Sequence, residues 1–147
     1  MHKKEFILRL IIVLALLPLF AHAESSQSQI KGDFTMKYAQ FIYEFQSKNW
    51  AQLTKYEEKG TKCGFGPGEE GIGCIERRYA SNESCIEEML FSLKQGCKIT
   101  TNDTNMSCTS PPQWADDSII ILGARASFTY DVKSKSIYVN HFICGGD

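Results

Sequence analysis

Six cysteines and one histidine carry most of the chemistry this sequence could do. Cys63, Cys74, Cys85, Cys97, Cys108 and Cys144 all lie ten or more residues apart. Structural zinc sites use close pairs of cysteine or histidine, and thioredoxin-type redox centres use Cys-x-x-Cys. The spacing fits neither, so no metal and no cofactor is expected. An even number of cysteines in a short exported chain fits a disulfide framework. Geometry removes one pairing. Cys85 and Cys97 bracket a predicted helix that holds them about 18 Å apart, well beyond the roughly 7 Å Cα limit for a disulfide. Cys63–Cys74 and Cys97–Cys108 would each close a short loop, and Cys85–Cys144 would tie the helix to the last strand. This is the expected set, with the other pairings left open.

His141 is the one histidine after residue 22. A Ser-His-Asp or Cys-His nucleophile would need it, yet no G-x-S-x-G elbow is present to partner it. Strict alternation puts His141 on one strand face with Ile137, Val139 and Ile143, towards the core or the floor of a pocket. The acids come in doublets: Glu57-Glu58, Glu69-Glu70, Glu87-Glu88 and Asp116-Asp117. Neighbours on a helix or strand point apart, so these are not the facing carboxylates of glycoside chemistry. They are expected to be solvated surface, or to meet a cationic partner. Gly66-Pro67-Gly68-Glu69-Glu70-Gly71 matches G-x-G-x-x-G in form only. No apolar strand precedes it, and two glutamates stand where a phosphate would sit. No catalytic residue is expected, and the chain reads as a binder sooner than an enzyme.

The compartment follows from the N-terminus. Residues 1–23 join a basic start (His2, Lys3, Lys4) to an apolar stretch and an Ala21-His22-Ala23 cleavage site. The uninterrupted run Leu10–Phe20 is shorter than the about 20 residues of a membrane-spanning helix. The expectation is a signal peptide cut after Ala23, with no stable membrane anchor left. No cysteine lies at the cut, so the product is not a lipoprotein, and the plain Ala-x-Ala site points to the periplasm or to secretion. The full chain has a formal charge of −1, and the leader carries more cations than acids. The exported part is therefore mildly acidic, which argues against nucleic-acid binding.

Residues 24–32 are polar and expected to be a flexible lead-in, followed by one globular domain over 33–147. Phe34, Tyr38, Phe41, Ile42 and Phe45 recur at helical spacing as a core-facing stripe. Asn49 is placed to cap a second helix, with Gln52 completing a capping box and Trp50, Leu53 and Tyr56 on one side. Residues 60–73 are a glycine-rich loop, pinned by Cys63 and Cys74, and such loops often carry binding. Ser84-x-x-Glu87 reads as the cap of another helix with Ile86, Met89, Leu90 and Leu93 inside, ended by Gly96. Residues 100–112 are polar and turn-rich. Asn82, Asn102 and Asn105 begin N-x-[ST] sequons, for which coincidence suffices in a bacterial protein. Strands are expected over 118–130 and 137–143, joined at Lys133-Ser134-Lys135, with Tyr138, Asn140 and Phe142 facing away from Val139. The result is an α+β fold, with N-terminal helices packed on a C-terminal antiparallel, curved, disulfide-stabilised β-sheet.

The opening Phe41-Ile42-Tyr43-Glu44-Phe45, with Lys48-Asn49-Trp50 and Leu53, resembles the start of a cystatin-like or NTF2-like domain. In that family a broken aromatic helix is followed by a curved sheet. The resemblance covers these residues and the final hairpin, and the cysteines and glycine loop depart from it. The fold hosts enzymes, carriers and interaction modules alike. The first functional expectation is an exported, disulfide-bonded binding protein, an inhibitor or immunity partner of a cell-envelope enzyme. Its partner is another envelope or secreted protein, met through Phe65, Glu69, Glu70, Trp114 and His141. The alternative is a small-molecule pocket lined by Trp114, Tyr130, His141 and Tyr138 or Phe128, with Asp116, Asp117 or His141 as acid or base. A structural envelope protein is the third reading.

Overall fold

A computed structural model describes residues 26–102, 104–116 and 123–145. The expected leader and its cleavage site, Asp117 and the start of the 118–130 strand lie outside the described residues. The chain divides into two compact units, residues 1–35 and 36–147. Residues 26–46 are helical (α1). The lead-in expected over 24–32 is thus helical from residue 26, with the side chains of 26–29 exposed. Once a helix exists, each added residue gains one hydrogen bond, and a polar serine- and glutamine-rich run can extend it at the surface. In the first unit Phe34 is buried, and the Thr35 hydroxyl donates to the Lys31 carbonyl.

In the second unit α1 is followed by α2 (Trp50–Leu53), a 3-10 turn (Thr54–Tyr56), the glycine loop, α3 (Cys74–Tyr79) and α4 (Glu83–Lys94). Four strands complete the fold: β1 (Lys98–Thr101), β2 (Asn105–Ser110), β3 (Arg125–Asp131) and β4 (Ser136–Ile143). They pair as an antiparallel meander in the order β1-β2-β3-β4. The fold is α+β, helices packed against an antiparallel sheet. Aromatic rings join the layers. Phe41 packs edge-on against Phe128 and Phe142 at 5.0 and 5.5 Å, and Phe45 meets Phe142 at 4.9 Å and Tyr79 at 5.4 Å. Edge-to-face pairs of this kind add about 0.5–1.5 kcal/mol each beyond the area they bury. Two buried tyrosine hydroxyls are satisfied. Tyr38 donates to the Leu93 carbonyl and Tyr79 to the Phe142 carbonyl, and burial pushes both phenols above the ordinary tyrosine value.

Three disulfides join Cys63 to Cys74, Cys85 to Cys144 and Cys97 to Cys108, with Cα separations of 5.8, 5.6 and 5.5 Å. No free cysteine remains among the described residues, and none of their helices is long and apolar enough to cross a membrane.

Several local expectations are corrected. Asn49 precedes α2 but makes no side-chain cap, and the helix passes into a 3-10 turn after one turn. The cap of α4 is Asn82, whose side chain accepts from the Cys85 amide at 3.3 Å, and Ser84 lies already inside the helix. Residues 100–112 are expected as turns, yet 98–110 form the β1–β2 hairpin, with Met106, Cys108 and Ser110 buried in alternation. Helix α3 has no local cap. Its first turn is held from sixteen residues upstream by Glu57, whose carboxylate accepts from the Gly73 and Ile75 amides at 2.6 and 2.8 Å. Glu57 is 6% exposed, so the first acidic doublet is half structural. A carboxylate at a helix N-terminus also answers the helix dipole.

The largest correction lies in β4. Ser127 pairs with His141 but Phe128 pairs with Val139, so Asn140 is an extra residue, a β-bulge. An extra residue inverts the alternation beyond it. Phe142 therefore turns into the core, fully buried, while His141 turns to the opposite face and is half-buried. Strict alternation assigns these two the other way round.

Candidate functional site

The glycine loop is shaped by its own backbone. Gly66-Pro67-Gly68-Glu69 forms a turn closed by the Glu69 amide on the Gly66 carbonyl at 3.2 Å, with Gly68 at φ +80°. A left-handed third residue after proline is the type II pattern, which favours glycine. The Glu69 carboxylate then accepts from the Gly66 amide at 2.9 Å and pairs with Arg78 at 3.0 Å. It lies so close over Gly64 that any side chain there would overlap it. The base of the loop is fixed twice, by the Cys63–Cys74 bridge and by Lys62. The Lys62 amide donates to Asn140 O at 2.9 Å, and its carbonyl accepts from the Phe142 amide at 2.8 Å. This docks the loop on the edge of β4, immediately beside the bulge.

The outcome is an exposed Phe65, 77% accessible, carried on a pinned loop. Its ring lies 5.8 Å from the guanidinium carbon of Arg125, which in turn lies 5.2 Å from the ring of Trp114. Trp114, on the 3-10 helix Pro112–Ala115, meets the His141 ring edge-on at 6.3 Å. His141 Nδ1 lies 3.0 Å from the Ser127 hydroxyl on β3. Arg125 and Ser127 occupy the half-buried positions of β3, opposite the buried Ala126, Phe128 and Tyr130. Phe65, Arg125, Trp114, His141 and Ser127 thus form one aromatic and cationic surface on the face of the sheet away from the core.

Of the residues singled out in the sequence, Phe65, Trp114 and His141 come together here. Glu69 is spent inside the loop. Glu70 is exposed, and its carbonyl accepts from Arg77 at 2.9 Å. Arg125, Ser127 and Lys62 do not stand out in the sequence. The alternation of β3 signals which way Arg125 faces, but its meeting with Phe65 depends on the loop docking from elsewhere in the chain. The pocket expected from Trp114, Tyr130, His141 and Tyr138 or Phe128 is not formed by these residues together, because Tyr130 and Phe128 are buried on the face of the sheet opposite His141. Behind the loop, a cavity of about 380 Å³ lies between Phe65, Glu69, Arg78, Ile143 and Gly145.

Two chemistries can be weighed. The Ser127–His141 contact uses Nδ1 and joins direct cross-strand neighbours. A nucleophile also needs an orienting acid on the imidazole and an oxyanion hole, and among the described contacts no acid reaches His141. Glu57, Cys63 and Cys74 lie close enough to suggest a metal cluster, but both sulfurs are in a disulfide and the carboxylate holds α3.

Electrostatics set the state of His141. Burial holds its pKa below the ordinary histidine value, and the Lys62 and Arg125 charges lower it further. The folded protein therefore binds this proton less tightly than the unfolded chain. Stability is complete above the ordinary histidine pKa, falls as pH drops through it, and levels off below the folded pKa. His141→Gln is expected to flatten this slope, read from urea midpoints across that window. A slope identical in wild type and variant would mean that His141 does not carry it.

No protein-family model matches the chain, and the searches of curated proteins and of solved structures return no match either.

Proposed function

We propose that the protein is an exported binding protein whose ligand is another protein of the cell envelope, held on the surface built by Phe65, Arg125 and Trp114. The observation that carries this reading is the exposure of Phe65 on a loop fixed by a disulfide, an internal carboxylate and a β-bridge. Large apolar side chains at a surface usually cost solubility, and presenting one on a rigid support lowers the entropy lost on binding. Aromatic residues and arginine dominate the energetic centres of protein interfaces, and here they adjoin. With Lys62 and Arg125 beside them, the surface suits a partner offering an apolar cleft rimmed by acidic groups. This reverses the charge complementarity that the acidic doublets suggested, since Glu57 and Glu69 serve the fold. An inhibitor or immunity partner of an envelope hydrolase has this architecture, a pinned loop inserted into a cleft.

The test compares two oxidised baits, wild type and Phe65→Ala/Trp114→Ala, against envelope extract of the producing cells. The expected result is a protein retained by wild type and weakened about 30-fold or more with the double variant, as removal of hot-spot residues produces. If nothing is retained, or the same proteins bind both baits equally, the reading fails.

A further inference from the structure

A second concavity lies at the other end of β4. It has a volume of about 310 Å³ and is lined by Lys37 of α1, Lys55 of the 3-10 turn and Lys135 of the β3–β4 turn, with Gln40, Tyr56 and Ser136. Three cations from three separate elements converge on it. One is neutralised: Glu44, which is 6% exposed, takes Lys55 at 2.9 Å and the Gln40 amide at 3.0 Å. No acid pairs with Lys37 or Lys135 among the described residues. Lys135 also sits at φ +53°, a conformation that a non-glycine residue adopts at a cost.

We propose that this concavity is a binding site for a phosphoryl group. Like charges gathered in one cleft repel, and an anion of high charge density relieves that repulsion while its field is focused by the cleft walls. The lining favours phosphate over carboxylate. Lysine ammonium groups act as point charges suited to phosphate, and two unpaired ammonium groups match the charge of about −1.5 to −2 on a phosphoryl group better than the single charge of a carboxylate. Gln40, Tyr56 and Ser136 line the rest of the cleft, with the Gln40 amide given to Glu44 and the Ser136 hydroxyl to the Ser134 carbonyl, and the volume reaches the lower end of small-ligand sites, near about 300 Å³. The phosphoryl group could belong to a soluble ester or to the headgroup of an envelope lipid, and both present the same dense anion.

The experiment uses the purified oxidised protein and two probes. Pyrophosphate, titrated by calorimetry, stands for the soluble source, and phosphatidylglycerol vesicles, in a sedimentation assay against phosphatidylcholine vesicles, stand for the lipid source. Binding to at least one probe is expected, weakened at least tenfold by Lys37→Gln/Lys135→Gln and unchanged by Lys98→Gln on β1. Lys135 is exposed and Lys37 half-buried, and the urea midpoint of the double variant checks that the fold is retained. Pyrophosphate binding assigns a soluble ligand, and vesicle binding alone assigns a headgroup. If neither probe binds, or if Lys98→Gln weakens binding as much as the double variant, the site does not exist.

Discussion

Replacing Cys85 and Cys144 together by alanine lowers stability by about 4 kcal/mol, against a little under about 3 kcal/mol for either of the other two pairs. The difference comes from loop length. Cys85–Cys144 spans 59 residues of sequence, whereas Cys63–Cys74 and Cys97–Cys108 each span 11. A cross-link acts largely by removing conformations from the unfolded chain, and a longer loop removes more. The native contacts support the same ranking. The short bridges close the glycine loop and the β1–β2 hairpin, both of which also have backbone hydrogen bonds across them. The long bridge joins the start of α4 to the end of β4. A loss of this size is a large part of the stability of an ordinary domain. Urea unfolding of the three double variants under non-reducing conditions measures the ranking. Equal losses for all three pairs, or the smallest loss for Cys85 and Cys144, would overturn it.

The elements legible in the sequence are those whose determinants are local. The stripe of Tyr38, Phe41 and Phe45 reads as a helix because its residues are large, apolar and spaced for one face, and all three are buried. Gly96, at φ +81°, ends α4 as expected, with its amide on the Leu93 carbonyl. Asp131 turns the final hairpin by accepting from the Lys133 amide and the Ser134 hydroxyl, contacts that hold its carboxyl below the usual carboxylate range.

The elements that were not legible depend on distant partners. Helix α3 needs Glu57, and nothing in Cys74–Tyr79 names the acceptor for its first amides. Strand β2 buries Met106, Cys108 and Ser110, an alternation concealed by a cysteine that reads as a cross-link and a serine that reads as a turn residue. Ser110 is acceptable inside because its hydroxyl lies 2.9 Å from both the Ser92 and Gly96 carbonyls, at the end of α4 where such oxygens lack helical partners. The candidate site was half legible for the same reason. Phe65, Trp114 and His141 stand out by residue type, but Arg125 gains its meaning only when the loop docks on β4.

Phe142→Ala is expected to cost about 3–5 kcal/mol, the range for removing a buried phenylalanine side chain from a core, whereas deleting Asn140 is expected to cost less. The reason is parity. With the extra residue gone, Val139, His141 and Phe142 alternate regularly inward, outward and inward, opposite Phe128, Ser127 and Ala126 as they already pair. Phe142 keeps its contacts with Phe41, Phe45 and Tyr79, and His141 keeps Ser127 and Trp114. The deletion removes the Asn140 side chain and the carbonyl that accepts from the Lys62 amide at 2.9 Å. Asn140→Ala is the control. It keeps the bulge and removes one side-chain hydrogen bond, Nδ2 to the Thr129 hydroxyl at 2.8 Å, worth about 0.5–1.5 kcal/mol. Phe142→Ala calibrates the core term. The expected order of stability is wild type, then Asn140→Ala, then the deletion, then Phe142→Ala. If the deletion is as damaging as Phe142→Ala, β4 does not keep its faces by looping out Asn140. The bulge that absorbs Asn140 thus holds Phe142 in the aromatic core and His141 on the surface with Trp114 and Arg125, so one feature of β4 sets both the core and the composition of the candidate binding face.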